Sequence, residues 1–289
     1  MLIPERHPSS GTITPASPCI GSNINETILG LLFNLFSKIF KLLYSIIMLE
    51  KYMKNKLNCK HVKDAGYHIA LGHSLGEYSA LVAADSIHVT DALMLVRKRG
   101  ELMENAPSGS MSAIIGLDQE IIVKICSNIS GKDNLHVQCA NLNSQNQTVI
   151  SGDIVAIDQA QKLCIEHGAK RAIKLNVSIA SHSELMIDAA KDFEKILKAV
   201  DIKMPAKEIF HNVSVGCAHS IEELYELLVS QLYKPVRWVE ICDQAKLLNL
   251  PIIECGPGKV LSGLFKNNGL ENYFYTSDEE FYEKIITNG

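Results

Sequence analysis

The hydrophobic pattern of the chain alternates between short apolar runs and longer segments with helical spacing. From Tyr67 onward, apolar runs of about five residues, such as 67–71 and 251–255, alternate with segments such as 238–248, where apolar side chains recur every three or four residues. The short runs are typical of buried strands, and the longer spacing is typical of amphipathic helices. The alternation predicts an α/β fold with a hydrolase-like large domain and a mainly parallel sheet covered by helices.

The middle of the chain follows a different order of elements. The pattern there predicts, in order, a strand at 112–116, a helix at 118–129, strands at 135–141 and 147–151, a helix at 153–167 and a strand at 171–177. This βαββαβ order is that of the ferredoxin-like arrangement. We therefore predict a small ferredoxin-like domain at 111–177, inserted into a large α/β domain made of 67–110 and 178–289.

Residues 1–66 do not continue this pattern. Residues 1–26 are rich in Pro, Ser, Gly, Thr and Asn, which predicts an irregular tail. The stretch 28–49 is apolar, but its polar residues, Lys38 and Lys41 among them, form one narrow stripe at helical spacing. Lysines near the middle of a membrane span are costly, so we predict an amphipathic helix packed on the core. Contact with a membrane surface is one alternative, and a shifted or decayed reading frame is another.

Composition and charge exclude several classes of protein. Hydrophobic residues make up 47% and charged residues 21%, as in ordinary globular proteins. The net charge is −4, and the absence of a basic block argues against a nucleic-acid partner. The eight cysteines are scattered, without a Cys-x-x-Cys pair or zinc-ligand spacing, which favours a reducing, cytoplasmic location. We expect a monomer that needs no metal or other cofactor.

A candidate nucleophile lies between the first predicted strand and the helix after it. The sequence Gly72-His73-Ser74-Leu75-Gly76 has the Gly-x-Ser-x-Gly pattern of a nucleophile elbow. In such a turn the serine hydroxyl is exposed at a strained backbone position, and we expect both glycines to let strand and helix approach closely. The alternative is an ordinary strand–helix turn with a capping serine.

A serine nucleophile needs a base, and the chain has ten histidines. His73 is adjacent to Ser74, but on a tight turn we expect its ring to point away from the hydroxyl. His182 lies between two small serines, just before a predicted helix, where the chain returns to the large domain. From the residues alone, His182 is either the base or a helix-start histidine bonded to the backbone.

Longer stretches carry a resemblance to a known family. The full heptapeptide Gly72–Tyr78 resembles the active-site stretch of malonyl-CoA:acyl-carrier-protein transacylases. The resemblance extends from about Tyr67 to about Phe265, and it continues through the stretches 79–83, 97–100, 141–144, 181–186, 231–238 and 254–259. Residues 1–66 show no such resemblance.

The resemblance implies a mechanism. Ser74 would attack malonyl-CoA with His182 as base, and the main-chain carbonyl of Gln231 would orient the imidazole, so that the side chain at 231 need not matter. Leu75 would give its backbone N–H to the oxyanion, and Arg99 would bind the malonyl carboxylate. The malonyl group would then pass to the phosphopantetheine thiol of acyl-carrier protein, in type II fatty acid biosynthesis.

Two further points qualify this expectation. A branched apolar residue at Leu75 goes with malonyl in the wider acyltransferase family, whereas glutamine there goes with methylmalonyl. The glutamine-containing loop that gives the family its second oxyanion donor is not found in residues 1–66, which predicts a lowered activity. The alternatives are a catalytically impaired remnant, a serine hydrolase without a need for Arg99, and a polyketide-type acyltransferase for branched malonates.

Overall fold

The computed structural model of the chain describes residues 69–278 and residue 280. The predicted tail at 1–26, the predicted helix at 28–49 and the start of the predicted strand at 67–71 lie outside the described residues. In the described part, the chain forms eight strands and eight helices.

The elements follow one another in an alternating α/β order. Their bounds are β1 (Ile69–Leu71), α1 (Gly76–Ala83), α2 (Val89–Glu104), β2 (Ser110–Ile115), α3 (Gln119–Ile129), β3 (Val137–Ser144), β4 (Gln147–Gly152), α4 (Ile154–Glu166), β5 (Arg171–Lys174), α5 (Ile187–Leu197), β6 (Glu208–Phe210), α6 (Ile221–Ser230), α7 (Trp238–Leu248), β7 (Ile252–Glu254), α8 (Val260–Asn267) and β8 (Tyr273–Tyr275). A short 3₁₀ turn at Glu184–Met186 precedes α5.

Two pairs of parallel strands belong to the predicted large domain. Strand β1 pairs with β6, with Ile69 opposite Glu208 and Leu71 opposite Phe210, and β7 pairs with β8. Because β1 and β6 run in the same direction and in this register, the residues after their carboxyl ends lie side by side. The turn that contains Ser74 is therefore next to His211 and Asn212.

The central part of the chain forms a separate antiparallel sheet. Its strand order is β3-β4-β2-β5, which is the order expected for a ferredoxin-like arrangement, and each of its six elements overlaps the predicted one. Helices α3 and α4 bury Ile122 and Ile157 in a common core with Ile150 of β4. Where the chain enters and leaves this sheet, Gly109 N–H donates to Ser178 O at 3.1 Å. The division into two domains stays a prediction.

A second core is formed by helices α1, α2, α5 and α6. Tyr78, Leu95, Phe193 and Leu228, one from each helix, are fully buried in it. In the described part of the chain, none of the helices is both long and apolar enough to cross a membrane.

The structure confirms one predicted helix start and corrects another. The sequence predicts a capping box of Ser220 and Glu223, and a helix cap at Thr90. Ser220 Oγ accepts the N–H of Glu223 at 3.2 Å, but the Glu223 carboxylate accepts the N–H of His219 and not that of Ser220, so that the box is half formed. Thr90 does not cap α2. The helix begins at Val89, and the ring of His88, whose backbone is extended, accepts the N–H of Thr90. Histidine is not a common N-cap residue, so composition favoured the threonine.

Strand β8 was not predicted. It contains only the three residues Tyr273–Tyr275, and it pairs with β7. A run of three aromatic residues is too short to show a period of two.

Candidate active site

The candidate nucleophile lies on a strained turn. Ser74 follows β1 with a φ of +51°, in the left-handed region that disfavours residues with a side chain. A glycine is required at position 72, because a Cβ atom on Gly72 would lie 2.0 Å from the carbonyl carbon of Gly76. The expectation that both glycines permit the close approach is wrong for Gly76, since a Cβ there meets no described atom within 4 Å.

Asn212 holds the backbone on both sides of the serine. Its Oδ1 accepts the N–H of Ser74 at 2.6 Å, and its Nδ2 donates to the carbonyl oxygen of Gly72 at 2.6 Å. The side chain of Asn212 is completely buried. Sequence analysis did not select this residue, although it fixes the peptide groups that define the elbow.

The predicted nucleophile and base are in direct contact. Ser74 Oγ lies 2.8 Å from His182 Nε2, and His182 Nδ1 lies 2.6 Å from the main-chain oxygen of Gln231. A carbonyl oxygen can only accept, so Nδ1 carries the proton, and the lone pair of Nε2 faces the serine hydroxyl. The structure thus brings together the three residues in the arrangement that activates a serine.

The backbone of His182 is held as firmly as its ring. Its φ is +61°, again in the left-handed region. Its N–H donates to Leu232 O at 2.9 Å, and its carbonyl oxygen accepts from Gln138 Nε2 at 2.9 Å. Gln138 belongs to β3 and was not selected from the sequence.

The electrostatic surroundings keep the imidazole neutral. Burial is the main cause, and the positive charge of Arg99 adds to it, so that the pKa of His182 falls to about 3. The hydrogen bond to the Gln231 carbonyl acts in the opposite direction but is outweighed. At neutral pH the ring is unprotonated and can accept a proton.

Arg99 is a buried cation next to this pair. Its side chain is only 6% exposed, and its Nη2 donates to Gln231 Oε1 at 3.2 Å. Its Nε has no hydrogen-bond partner in the described part of the chain. Arg97 and Lys98 instead face solvent and pair with Glu101. Of the three basic neighbours, Arg99 is therefore the one buried at the site, and among the described residues its Nε is an unused donor.

His73 is excluded as the base by its position. Its Nε2 lies 2.9 Å from Asn143 Oδ1, and its ring meets Trp238 edge to face, with 5.1 Å between the ring centroids. The ring points away from the hydroxyl of Ser74, as expected for the residue before it on a tight turn. His68, another of the ten histidines, lies outside the described residues.

A backbone donor is available beside the nucleophile. The N–H of Leu75 has no hydrogen-bond partner among the described residues, whereas the next N–H, that of Gly76, donates to His73 O at 3.0 Å. An unpaired N–H at the start of a helix is suited to an oxyanion. The side chain of Leu75 packs against the helical core.

A buried carboxylate below the elbow completes the polar network. Glu77 is 1% exposed; its Oε1 lies 2.5 Å from His211 Nδ1, and its Oε2 accepts from Gln231 Nε2 at 2.5 Å. The amide of Gln231 also donates to Ser74 O at 3.1 Å. Besides the expected role of its main-chain oxygen, Gln231 thus also contacts Arg99, Ser74 and Glu77 through its side chain.

The fold and site define a serine-dependent acyltransferase, and the chain matches the family model of the acyl transferase domain over residues 16–254. It is 42% identical to the malonyl CoA-acyl carrier protein transacylase of Bacillus subtilis over 84% of this chain and 75% of that protein. The chain belongs to the malonyl CoA-acyl carrier protein transacylase family.

Other relatives agree with this assignment. The Haemophilus influenzae protein of the same name is 44% identical over 68% of this chain, and the alignment spans 64% of its length. The crystal structure of FabD from Acinetobacter baumannii, 35% identical, superposes with a TM-score of 0.81 over 92% of this chain and 83% of that one. The predicted α/β fold class is thereby confirmed. The family match starts at residue 16, so it includes part of the region in which the motifs show no resemblance.

Proposed function

We propose that this protein transfers the malonyl group of malonyl-CoA to the phosphopantetheine thiol of acyl-carrier protein, through a malonyl ester of Ser74, in type II fatty acid biosynthesis. The observation that carries the proposal is the contact of Ser74 Oγ with His182 Nε2 at 2.8 Å, beside a buried arginine whose Nε has no hydrogen-bond partner among the described residues. The relatives are named as transacylases of malonyl CoA and acyl carrier protein, and these names support the choice of substrate and partner.

The first half-reaction forms the acyl-enzyme. The hydroxyl proton of Ser74 passes to His182 Nε2 as Oγ attacks the thioester carbonyl carbon, and the N–H of Leu75 donates to the oxyanion that forms. The intermediate then collapses, the C–S bond breaks, and the CoA sulfur leaves with the proton from His182. A ring whose pKa is as low as about 3 gives up this proton readily.

The second half-reaction reverses these steps with a different thiol. The phosphopantetheine thiol gives its proton to His182 Nε2 and attacks the ester carbon, and Ser74 Oγ leaves and recovers the proton. Every proton and electron pair is supplied by the protein and the two thiols, so we propose that no cofactor is needed.

Arg99 selects the acyl group. Its guanidinium can form two parallel hydrogen bonds with the distal malonyl carboxylate, and in a buried place such a pair is stronger than in water. A neutral acyl group would leave the cation without a partner, which disfavours acetyl-CoA. A serine hydrolase for neutral esters would have no use for this buried charge, and this argues against that alternative.

The cysteines bear on the location of the protein. The six cysteines in the described part of the chain are all unpaired, as is typical of proteins in a reducing compartment. We propose a cytoplasmic, monomeric enzyme without a membrane or nucleic-acid partner.

The test is the chemical identity of the acyl-enzyme. Incubation with malonyl-CoA, followed by acid quench and peptide mass spectrometry, should place a malonyl group on Ser74, and Ser74→Ala should not be labelled. An adduct that persists in Ser74→Ala would contradict the assignment.

A further inference from the structure

The carboxamide of Gln231 links the candidate carboxylate-binding residue to the nucleophile elbow. Its Oε1 accepts from Arg99 Nη2 at 3.2 Å, while its Nε2 donates to Ser74 O at 3.1 Å and to Glu77 Oε2 at 2.5 Å. Gln231 is completely buried at the end of α6. Its side chain therefore joins α2, α1 and the turn after β1 at a single point.

The orientation of this amide is fixed by its neighbours. The main-chain oxygen of Ser74 can only accept a hydrogen bond, and the Glu77 carboxylate is an acceptor as well. Both groups require the NH₂ end of the amide, so the oxygen end must face Arg99, which only donates. By accepting a hydrogen bond from the amide nitrogen of Gln231, Glu77 thus helps to turn the amide oxygen toward the guanidinium of Arg99.

We propose that the Gln231 side chain is a positioning residue for acyl specificity: it holds Arg99 through one donor and leaves the remaining donors for the substrate carboxylate. This inference rests on the proposed malonyl transfer. It is separate from the role of the Gln231 main-chain oxygen, which any residue at this position retains.

The charge of the partner explains why an amide suits this position. A neutral oxygen can orient the guanidinium without neutralising it, so the full positive charge stays available to the substrate. A carboxylate at 231 would pair with Arg99 and compete with the malonyl carboxylate, and it would also lie against the carboxylate of Glu77. The unpartnered Nε of Arg99, among the described residues, is consistent with a guanidinium held for a ligand.

Two variants test the proposal. Gln231→Met keeps the length and the main-chain oxygen but removes both ends of the amide, and Gln231→Glu replaces the neutral acceptor by a charged one. The readout is the rate of Ser74 acylation by malonyl-CoA and by acetyl-CoA, followed by rapid quench and intact-protein mass spectrometry. Gln161→Met is the matched control, because Gln161 donates one hydrogen bond of 2.8 Å to Ser112 in the antiparallel sheet.

We expect Gln231→Met to acylate with malonyl-CoA about 10- to 100-fold more slowly, the effect of a small misplacement of a binding group. Its acetylation should slow by a smaller factor, because acetyl does not use Arg99 and loses only what the amide contributes at Ser74 O, so the ratio of the malonyl rate to the acetyl rate should fall. Gln231→Glu should lose more of the malonyl rate than Gln231→Met. The control should leave the ratio of the two rates at the wild-type value.

The outcomes separate the inference from the proposed function. If wild-type protein forms a malonyl adduct but Gln231→Met slows both acyl groups equally, the side chain is only structural and the inference is overturned. If wild-type protein is not labelled by malonyl-CoA at all, the proposed function itself fails. If Gln231→Glu does not fold, Gln231→Met still decides the question.

Discussion

The sharpest prediction concerns Asn212, whose replacement by alanine removes both hydrogen bonds that hold the elbow. The carbonyl of Gly72 is buried, so leaving it unpaired costs about 1–3 kcal/mol. The N–H of Ser74 is partly exposed and can find water, so its loss costs about 0.5–1.5 kcal/mol. Together these make about 1.5–4.5 kcal/mol, a large part of a typical stability of about 5–15 kcal/mol.

The same change should affect the rate beyond its effect on stability. The backbone of Ser74 is in the left-handed region. The side chain of Asn212 accepts its N–H, and among the described residues this N–H has no other hydrogen-bond partner. A displacement of about 1 Å at a reacting group costs about 10²-fold in rate. We therefore expect Asn212→Ala to acylate about 10²-fold more slowly per folded molecule.

The assay combines two measurements on the same samples. Urea unfolding gives the change in the free energy of unfolding, and rapid-quench mass spectrometry with malonyl-CoA gives the acylation rate of the folded fraction. Asn268→Ala is the matched control, because Asn268 is also buried and donates to two carbonyl oxygens, at 2.8 and 2.9 Å, without contacting Ser74. If both variants lose similar stability and both keep the wild-type acylation rate, the reasoning about the elbow is refuted.

Three further predictions concern charge at the site. Arg99→Ala should lose malonyl transfer by several orders of magnitude yet keep or gain activity with acetyl-CoA, as comparison of the two kcat/KM values would reveal; equal losses would make Arg99 structural. The pKa of His182, lowered by burial to about 3, should keep the acylation rate flat as the pH falls through 6.5, whereas a decline centred near 6.5 would contradict the assignment. Because the folded-state pKa of His182 lies below the unfolded value, the unfolded chain binds a proton that the folded chain does not between about pH 6.5 and about pH 3. The free energy of unfolding should therefore fall as the pH is lowered through this range, and its slope against pH, measured by urea unfolding, should differ between wild type and His182→Gln only there.

The candidate nucleophile and the candidate carboxylate-binding arginine could be predicted from short stretches of sequence. Ser74 and Arg99 lie in stretches whose local pattern or family resemblance specifies their surroundings, and the structure places both where those stretches imply. His182 could be proposed as base only with the resemblance, because spacing along the chain does not determine which histidine comes near Ser74, 108 residues earlier. The antiparallel sheet was predictable because its six elements follow one another along the chain in the βαββαβ order, although only β3 and β4 are neighbours both in sequence and in the sheet.

The residues that support the site could not be found in this way. Asn212 bonds to a residue 138 positions away. The sequence pattern also predicts a strand over 208–213, and Asn212 lies inside that range. The strand ends at Phe210. A parallel pairing of this strand with β1 would have been the useful signal, since residues just after both strands then share one edge of the sheet. Glu77 and the amide of Gln231 depend on contacts between three helices, which no local pattern encodes.

The transfer step tests the central claim most directly. Malonyl-enzyme formed on Ser74 and freed of malonyl-CoA should be mixed with acyl-carrier protein that bears phosphopantetheine, and both proteins should be followed by intact mass spectrometry. We expect the malonyl mass to leave Ser74 and appear on the acyl-carrier protein much faster than free malonate is released without it. Release of free malonate at one rate, with or without acyl-carrier protein and with none transferred, would contradict the account and indicate a hydrolase.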